Sequence, residues 1–225
     1  MHSASTKSGR VALVTGGGDL MTTVLESLLA RGVQVALAGP DAEQARRTAP
    51  PGAPVLALPR AHDDLTALAE AVDTVVERLG RLDHLVNLIA ARPRQGGPLM
   101  ELDPAALSDA LHSGIVTPLA CVQRAYRRWM AANGGSVVNV VATTARGGPQ
   151  DASLAGLAEL TEWLAAELEP RVQISAVVPS PLVGTGAYRA GAAGAVCDLL
   201  TRRTSRAQGP VFVLDEEPAC PFEAA

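Results

Sequence analysis

Short runs of β-branched and aliphatic residues recur along this chain, separated by longer stretches whose apolar residues return every three or four positions. A continuous run such as Val11-Ala12-Leu13-Val14 suits a strand buried on both faces of a parallel sheet. The longer spacing suits helices with one apolar face. On this pattern strands are expected at 11–14, 33–38, 55–58, 84–88, 136–141, 172–178 and 211–214, with helices at 20–31, 41–47, 63–79, 104–132, 152–168 and 190–203. Two boundaries carry their own chemistry. Asp103-Pro104 reads as an N-cap followed by proline in the first helical turn, and Gly134-Gly135 reads as the stop of that helix. Strands alternating with helices predict an α/β fold, a doubly wound, mostly parallel seven-stranded sheet with right-handed crossovers.

At 225 residues the chain fits one domain, expected over 10–215 between an N-terminal tail (1–9) and a C-terminal tail (216–225). Two Trp, two Tyr and two Phe leave the core to aliphatic residues. A net charge of −4 provides no basic footprint for nucleic acid and no polybasic membrane patch. No uninterrupted apolar run approaches the roughly 18 residues of a membrane span, and the first ten residues lack the apolar core of a secretory signal. A cytoplasmic protein is therefore expected. Cys121, Cys197 and Cys220 are widely spaced and unaccompanied by histidine, which suits reduced thiols and no metal site.

Five segments in order resemble the short-chain dehydrogenase/reductase family over roughly residues 9–215. They are Val11-Ala12-Leu13-Val14-Thr15-Gly16-Gly17-Gly18, Gly80-Arg81-Leu82-Asp83-His84-Leu85-Val86-Asn87, Gly97-Pro98-Leu99-Met100-Glu101-Leu102-Asp103-Pro104, Gly135-Ser136-Val137-Val138-Asn139-Val140, and Ala166-Glu167-Leu168 running on to Ala176-Val177-Val178-Pro179-Ser180-Pro181. The resemblance implies a Rossmann-type sheet, NADH or NADPH as cofactor, and binding through Gly16, Gly17, Gly18 and Asn87, with Arg46 a further candidate.

The match departs from the family at its chemistry. The family's TGxxxGxG turn is here Thr15-Gly16-Gly17-Gly18-Asp19-Leu20-Met21, with Asp19 and Met21 where the second and third glycines belong. Asp19 is expected to N-cap the first helix, which would put a carboxylate where a pyrophosphate otherwise sits. NAD-preferring relatives carry an acid about at Gly39, and NADP-preferring ones a basic residue about at Pro40. The family's catalytic Ser falls on Ala142, its Tyr and Lys on Gln150 and Leu154, and its helix Asn on Gly114. The only lysine, Lys7, lies in the N-terminal tail, and Tyr126 and Tyr188 are followed four positions on by Met130 and Ala192.

Thr143, Thr144, Gln150, Asp151 and Tyr188 remain as catalytic candidates, with Ser113 and Arg146 around the same crevice and Tyr188 in a loop after the sixth strand. Thr143 and Thr144 belong to the carboxyl edge, where open α/β sheets bind ligands. Gln150 can donate to a carbonyl oxygen but cannot protonate it. Asp151 suits an acid–base role if buried, or a helix cap. Arg92 and Arg94 suit an anionic or polyphenolic ligand. The first functional reading is an atypical NAD(P)H-dependent carbonyl reductase acting on a small, polyketide-like molecule that supplies its own proton. The alternative is a non-catalytic subunit pairing with an active relative. A cofactor-free lyase or cyclase using Thr143, Asp151 or Tyr188 is a further alternative. The family associates through two long helices, here 104–132 and 152–168. Leu111, Ile115, Leu119, Val122, Leu157, Leu160 and Leu164 are their apolar residues; the resemblance implies a homo-oligomer or a hetero-oligomer with a relative, and the alternative is that these faces merely cover the sheet.

Overall fold

The structure, a computed structural model, describes residues 9–59, 65–89, 99–141, 149–179, 185–201 and 210–214. Seven strands form one sheet: β1 (Val11–Gly16), β2 (Gln34–Gly39), β3 (Val55–Pro59), β4 (His84–Ile89), β5 (Gly135–Val141), β6 (Val172–Pro179) and β7 (Val211–Leu214). They lie in the order β3-β2-β1-β4-β5-β6-β7, and every pairing is parallel. The helices are α1 (Asp19–Ala30), α2 (Ala42–Thr48), α3 (Leu65–Leu79), α4 (Pro104–Asn133), α5 (Pro149–Leu168) and α6 (Thr185–Thr201). The chain order reverses between β1 and β4, so the crevice at their carboxyl ends is the switch point where such sheets take ligands.

Alternation along the strands divides the core in two. Ala12, Val14, Val35, Leu37, Val86 and Val138 face the layer made by α1, α2 and α6. Val11, Leu13, Ala36, Leu85, Val137 and Ile174 face the layer of α3, α4 and α5. Successive strand side chains point to opposite faces, so covering both faces requires apolar residues at every position. Met21 packs fully buried in the first layer, where the family's third glycine would have left α1 closer to the sheet.

Both helix boundaries read from composition hold. The Asp103 carboxylate accepts from Ala105 N–H at 2.9 Å, and Gly134, at φ +73°, ends α4. α4 also contains a wider π turn at His112–Val116. Pro118 has no N–H to give the Gly114 carbonyl one turn earlier, and the wider turn accommodates that gap. α6 begins at Thr185, earlier than expected, so Tyr188 is in its first turn and not in a loop. The alanine- and glycine-rich segment extends a helix already packed against α1. By length and composition α4 contains a window long and apolar enough to cross a membrane. A search for uninterrupted apolar runs overlooks it because polar residues are interspersed. Here its buried side chains pack against α3 and the sheet.

Candidate functional site

A cavity of about 210 Å³ opens at the carboxyl ends of β1, β2 and β4. Its lining includes Thr15, Gly16, Gly17, Gly18, Pro40, Asp41, Asn87, Ser113 and Thr117. The turn after β1 is shaped by close backbone contact. At Gly16, φ is +102°, and a Cβ there would stand 2.1 Å from the Leu88 carbonyl oxygen; a Cβ on Gly39 would stand 1.8 Å from the Gly16 oxygen. The first is the reason for glycine at this turn. The second excludes, in this backbone, the acidic side chain that NAD-preferring relatives carry at that point.

The cap of α1 differs from expectation. Gly18, at φ +86°, is the N-cap and makes no side-chain bond, while Asp19 is the exposed first residue of the helix. The carboxylate at the turn comes instead from Asp41, 23 residues later, whose Oδ2 accepts the Gly18 N–H at 2.7 Å. An anion at this turn would share the positive end of α1 with that carboxylate. No arginine or lysine is among the described residues lining the cavity.

The other candidate cofactor residues are held elsewhere. The Asn87 side chain accepts from the Thr15 hydroxyl at 2.8 Å and donates to Asn139 Oδ1 at 2.9 Å. Arg46 makes a two-pronged pair with Glu43 on its own helix, a bond that raises the arginine pKa and lowers the carboxylate's. Thr143, Thr144, Ala142, Arg146, Arg92 and Arg94 lie outside the described residues. Gln150 and Asp151 fall in the first turn of α5, and the structure describes neither side chain, nor that of Tyr188. Ser113 lines the cavity with its hydroxyl donated to the Asp109 carbonyl at 2.8 Å.

Two positions from the family's tetrad are described in full. Leu154 is half-buried and packs with Ile89, Val141 and Leu157. Gly114 faces α5, where a Cβ would stand 2.6 Å from Ser153 Oγ and 2.8 Å from Ser153 Cβ. One residue on, Ile115 fits against Gly156 in the same way, its Cδ1 2.6 Å from where that glycine's Cβ would be. α4 and α5 have thus closed on each other at the point where relatives project an asparagine. Among the described residues no group of His, Cys, Asp and Glu suits a metal ion.

An α/β sheet with a glycine turn at its switch point defines the class as a dinucleotide-type Rossmann domain. A family model described as enoyl-(acyl carrier protein) reductase matches residues 22–206, and the chain belongs to the short-chain dehydrogenase/reductase family. It is 33% identical over 172 residues to the (2S)-[(R)-hydroxy(phenyl)methyl]succinyl-CoA dehydrogenase subunit BbsC of Thauera aromatica, covering 72% of this chain and 68% of that one. It is 28% identical over 201 residues to the peroxisomal 2,4-dienoyl-CoA reductase of Danio rerio, covering 84% of this chain and 66% of that one. The chain thus spans about two thirds of the length of each relative. A short-chain dehydrogenase/reductase from Serratia marcescens superposes with a TM-score of 0.76 at 24% identity, over 92% of this chain and 97% of that one.

Proposed function

We propose that this chain is a non-catalytic subunit of the short-chain dehydrogenase/reductase type, associating through α4 and α5 with an active relative. The observation that carries the reading is the closure of Gly114 onto Ser153: the tetrad's asparagine niche is filled by helix packing. Asp41 at the glycine turn supports it from the cofactor side. The Thauera aromatica relative is itself named as a subunit of a dehydrogenase.

Of the apolar residues expected on these helices, some are taken up by the core. Val122 and Leu157 belong to the core, and Leu164 packs against it. Leu119 and Leu160 are half-buried, while Val116 and Trp163, 41% and 64% exposed, are the large apolar side chains that these two helices present to solvent among the described residues. An exposed tryptophan on a helix of this kind suits an interface anchor.

The test is to purify the chain alone and together with an active relative from the same source, then measure assembly by light scattering and turnover with NADH and NADPH. The reading expects a hetero-oligomer, no turnover by the chain alone, and loss of the complex without loss of melting temperature in Trp163→Glu. Reduction of a carbonyl or enoyl compound by the isolated chain at a rate typical of its family overturns it.

The cavity at the carboxyl edge favours a second reading, an atypical NAD(P)H-dependent reductase of a small carbonyl compound. Substitution at Thr143, Thr144, Gln150, Asp151 and Tyr188 separates its versions. A proton from the protein predicts one position losing about 10²-fold or more in kcat, and a proton from the substrate predicts modest losses at all five.

A further inference from the structure

Asp41 is the N-cap of α2, a position from which an aspartate ordinarily turns its carboxylate onto the first N–H groups of its own helix. It makes no such bond here. Its Oδ2 crosses to the other side of the turn, accepts the Gly18 N–H at 2.7 Å, and stands 2.7 Å from where a Cβ on Gly17 would be. The carboxylate therefore lies against two successive glycines at the N-terminal end of a twelve-residue helix. The end of β2 is pressed onto the end of β1 at Gly39 and Gly16, which brings Asp41 within reach.

We propose that Asp41 is an internal anion that keeps phosphate out of the glycine turn, so that the crevice discriminates against phosphorylated ligands. The helix N-terminus offers partial positive charge and unpaired N–H groups, and an anion placed there is stabilised by both. Asp41 supplies that anion from within the chain. An incoming phosphate must displace it or sit within a few ångströms of a like charge at a partly desolvated surface, where repulsion exceeds that in water. No described basic side chain lines the cavity to offset that repulsion. The inference stands apart from the subunit reading, because it needs neither a partner nor turnover.

The experiment is calorimetric titration of NADH, NADPH, inorganic pyrophosphate and adenosine into the wild type, Asp41→Asn and Asp41→Ala, with melting curves for all three proteins. Asp41→Ala is expected to bind each phosphorylated probe at least about tenfold more tightly than the wild type. Asp41→Asn keeps an oxygen that accepts from Gly18 but carries no charge, so it shares the gain if charge is the discriminator and serves if Asp41→Ala melts early. Adenosine has no phosphate and is expected to be indifferent to both substitutions. The proposal is overturned if the wild type binds NADH in the low micromolar range. It is also overturned if neither variant gains affinity for phosphate, or if adenosine gains as much as NADH.

Discussion

The Thr15 hydroxyl donates to Asn87 Oδ1 at 2.8 Å, joining the end of β1 to the middle of β4 beneath the crevice. The bond begins a buried series. Asn87 donates to Asn139 on β5 at 2.9 Å, Asn139 donates to Thr161 on α5 at 3.3 Å, and Thr161 donates to the Leu157 carbonyl at 2.8 Å. All four side chains are buried, and each link satisfies a group that would otherwise be stranded away from water.

Asn87→Ala removes two links at once and leaves the Thr15 hydroxyl and the Asn139 carbonyl oxygen without these partners. A buried polar group left unpaired costs about 1–3 kcal/mol. We expect Asn87→Ala to lose about 2–4 kcal/mol in urea unfolding, and Thr161→Val less, because it affects only the end of the series. Equal losses from the two variants would show that the bonds do not act as a connected network.

His84 sets the pH dependence of stability. It is 4% exposed, its Nδ1 lies 2.8 Å from Ser136 Oγ, and its Nε2 has no hydrogen-bond partner among the described residues. Burial depresses its pKa from 6.5 to about 4, with Arg10 and Arg81 adding to the effect and Asp83 opposing it. The neutral ring is favoured in the folded state, so its contribution is fully present above the unfolded value and is lost as pH falls from about 6.5 through about 4. The loss amounts to roughly 3 kcal/mol. Asp73 and Asp83 are carboxylates held below their ordinary range, and their contribution fades lower. The Arg124 hydrogen bond holds Asp73 down, while at Asp83 burial is outweighed by Arg81 and the Val11 N–H. Denaturant titrations between about pH 7 and pH 5 should therefore show a slope that His84→Gln abolishes. A slope unchanged in that variant would assign the acid sensitivity elsewhere.

Gly114 and Ser153 should be energetically coupled. Gly114→Ala places a methyl group inside contact distance of Ser153, and we expect a loss of about 1–3 kcal/mol. Ser153→Gly removes both atoms that clash, so the double variant should recover part of that loss despite having two helix positions perturbed. A fully additive pair in a double-mutant cycle would mean that α4 and α5 shift apart freely. In that case the closure would not obstruct a side chain at position 114.

Cys121 is fully buried and its thiol pKa is pushed up to about 12; Cys197 is buried and also raised, mainly by desolvation. Thiolates are the reactive form. Titration with a thiol reagent near about pH 8 should therefore modify at most one equivalent in the native protein, the remainder appearing only with unfolding. Rapid modification of a second thiol would reveal local opening of the layer around α4 or α6.

Much of the architecture was legible because its causes are local. Val11-Ala12-Leu13-Val14 is apolar at every position because each side chain meets one of two covering layers, and that alternative to a half-exposed strand is written in four consecutive residues. Asp103-Pro104 and Gly134 mark the ends of α4 through the backbone chemistry of those residues alone. The likeness of the five motif segments to one family also rests on residues close together in the chain, and the match over 22–206 agrees with it.

The candidate site was less legible because its decisive contacts join residues far apart. Asp19 reads as a cap from its neighbours alone, yet it is the first residue of α1 and Asp41 reaches the turn, because β1 and β2 lie side by side and Gly39 backs onto Gly16. The absence of an asparagine at Gly114 is plain in the chain, but its packing against Ser153 is a property of how α4 and α5 approach. Strand order, helix approach and side-chain direction settle such pairs, and none of these is encoded within a window of neighbouring residues. Local patterning determined the elements and the family; tertiary packing decided which carboxylate meets the glycine turn and whether the vacated niche stayed open.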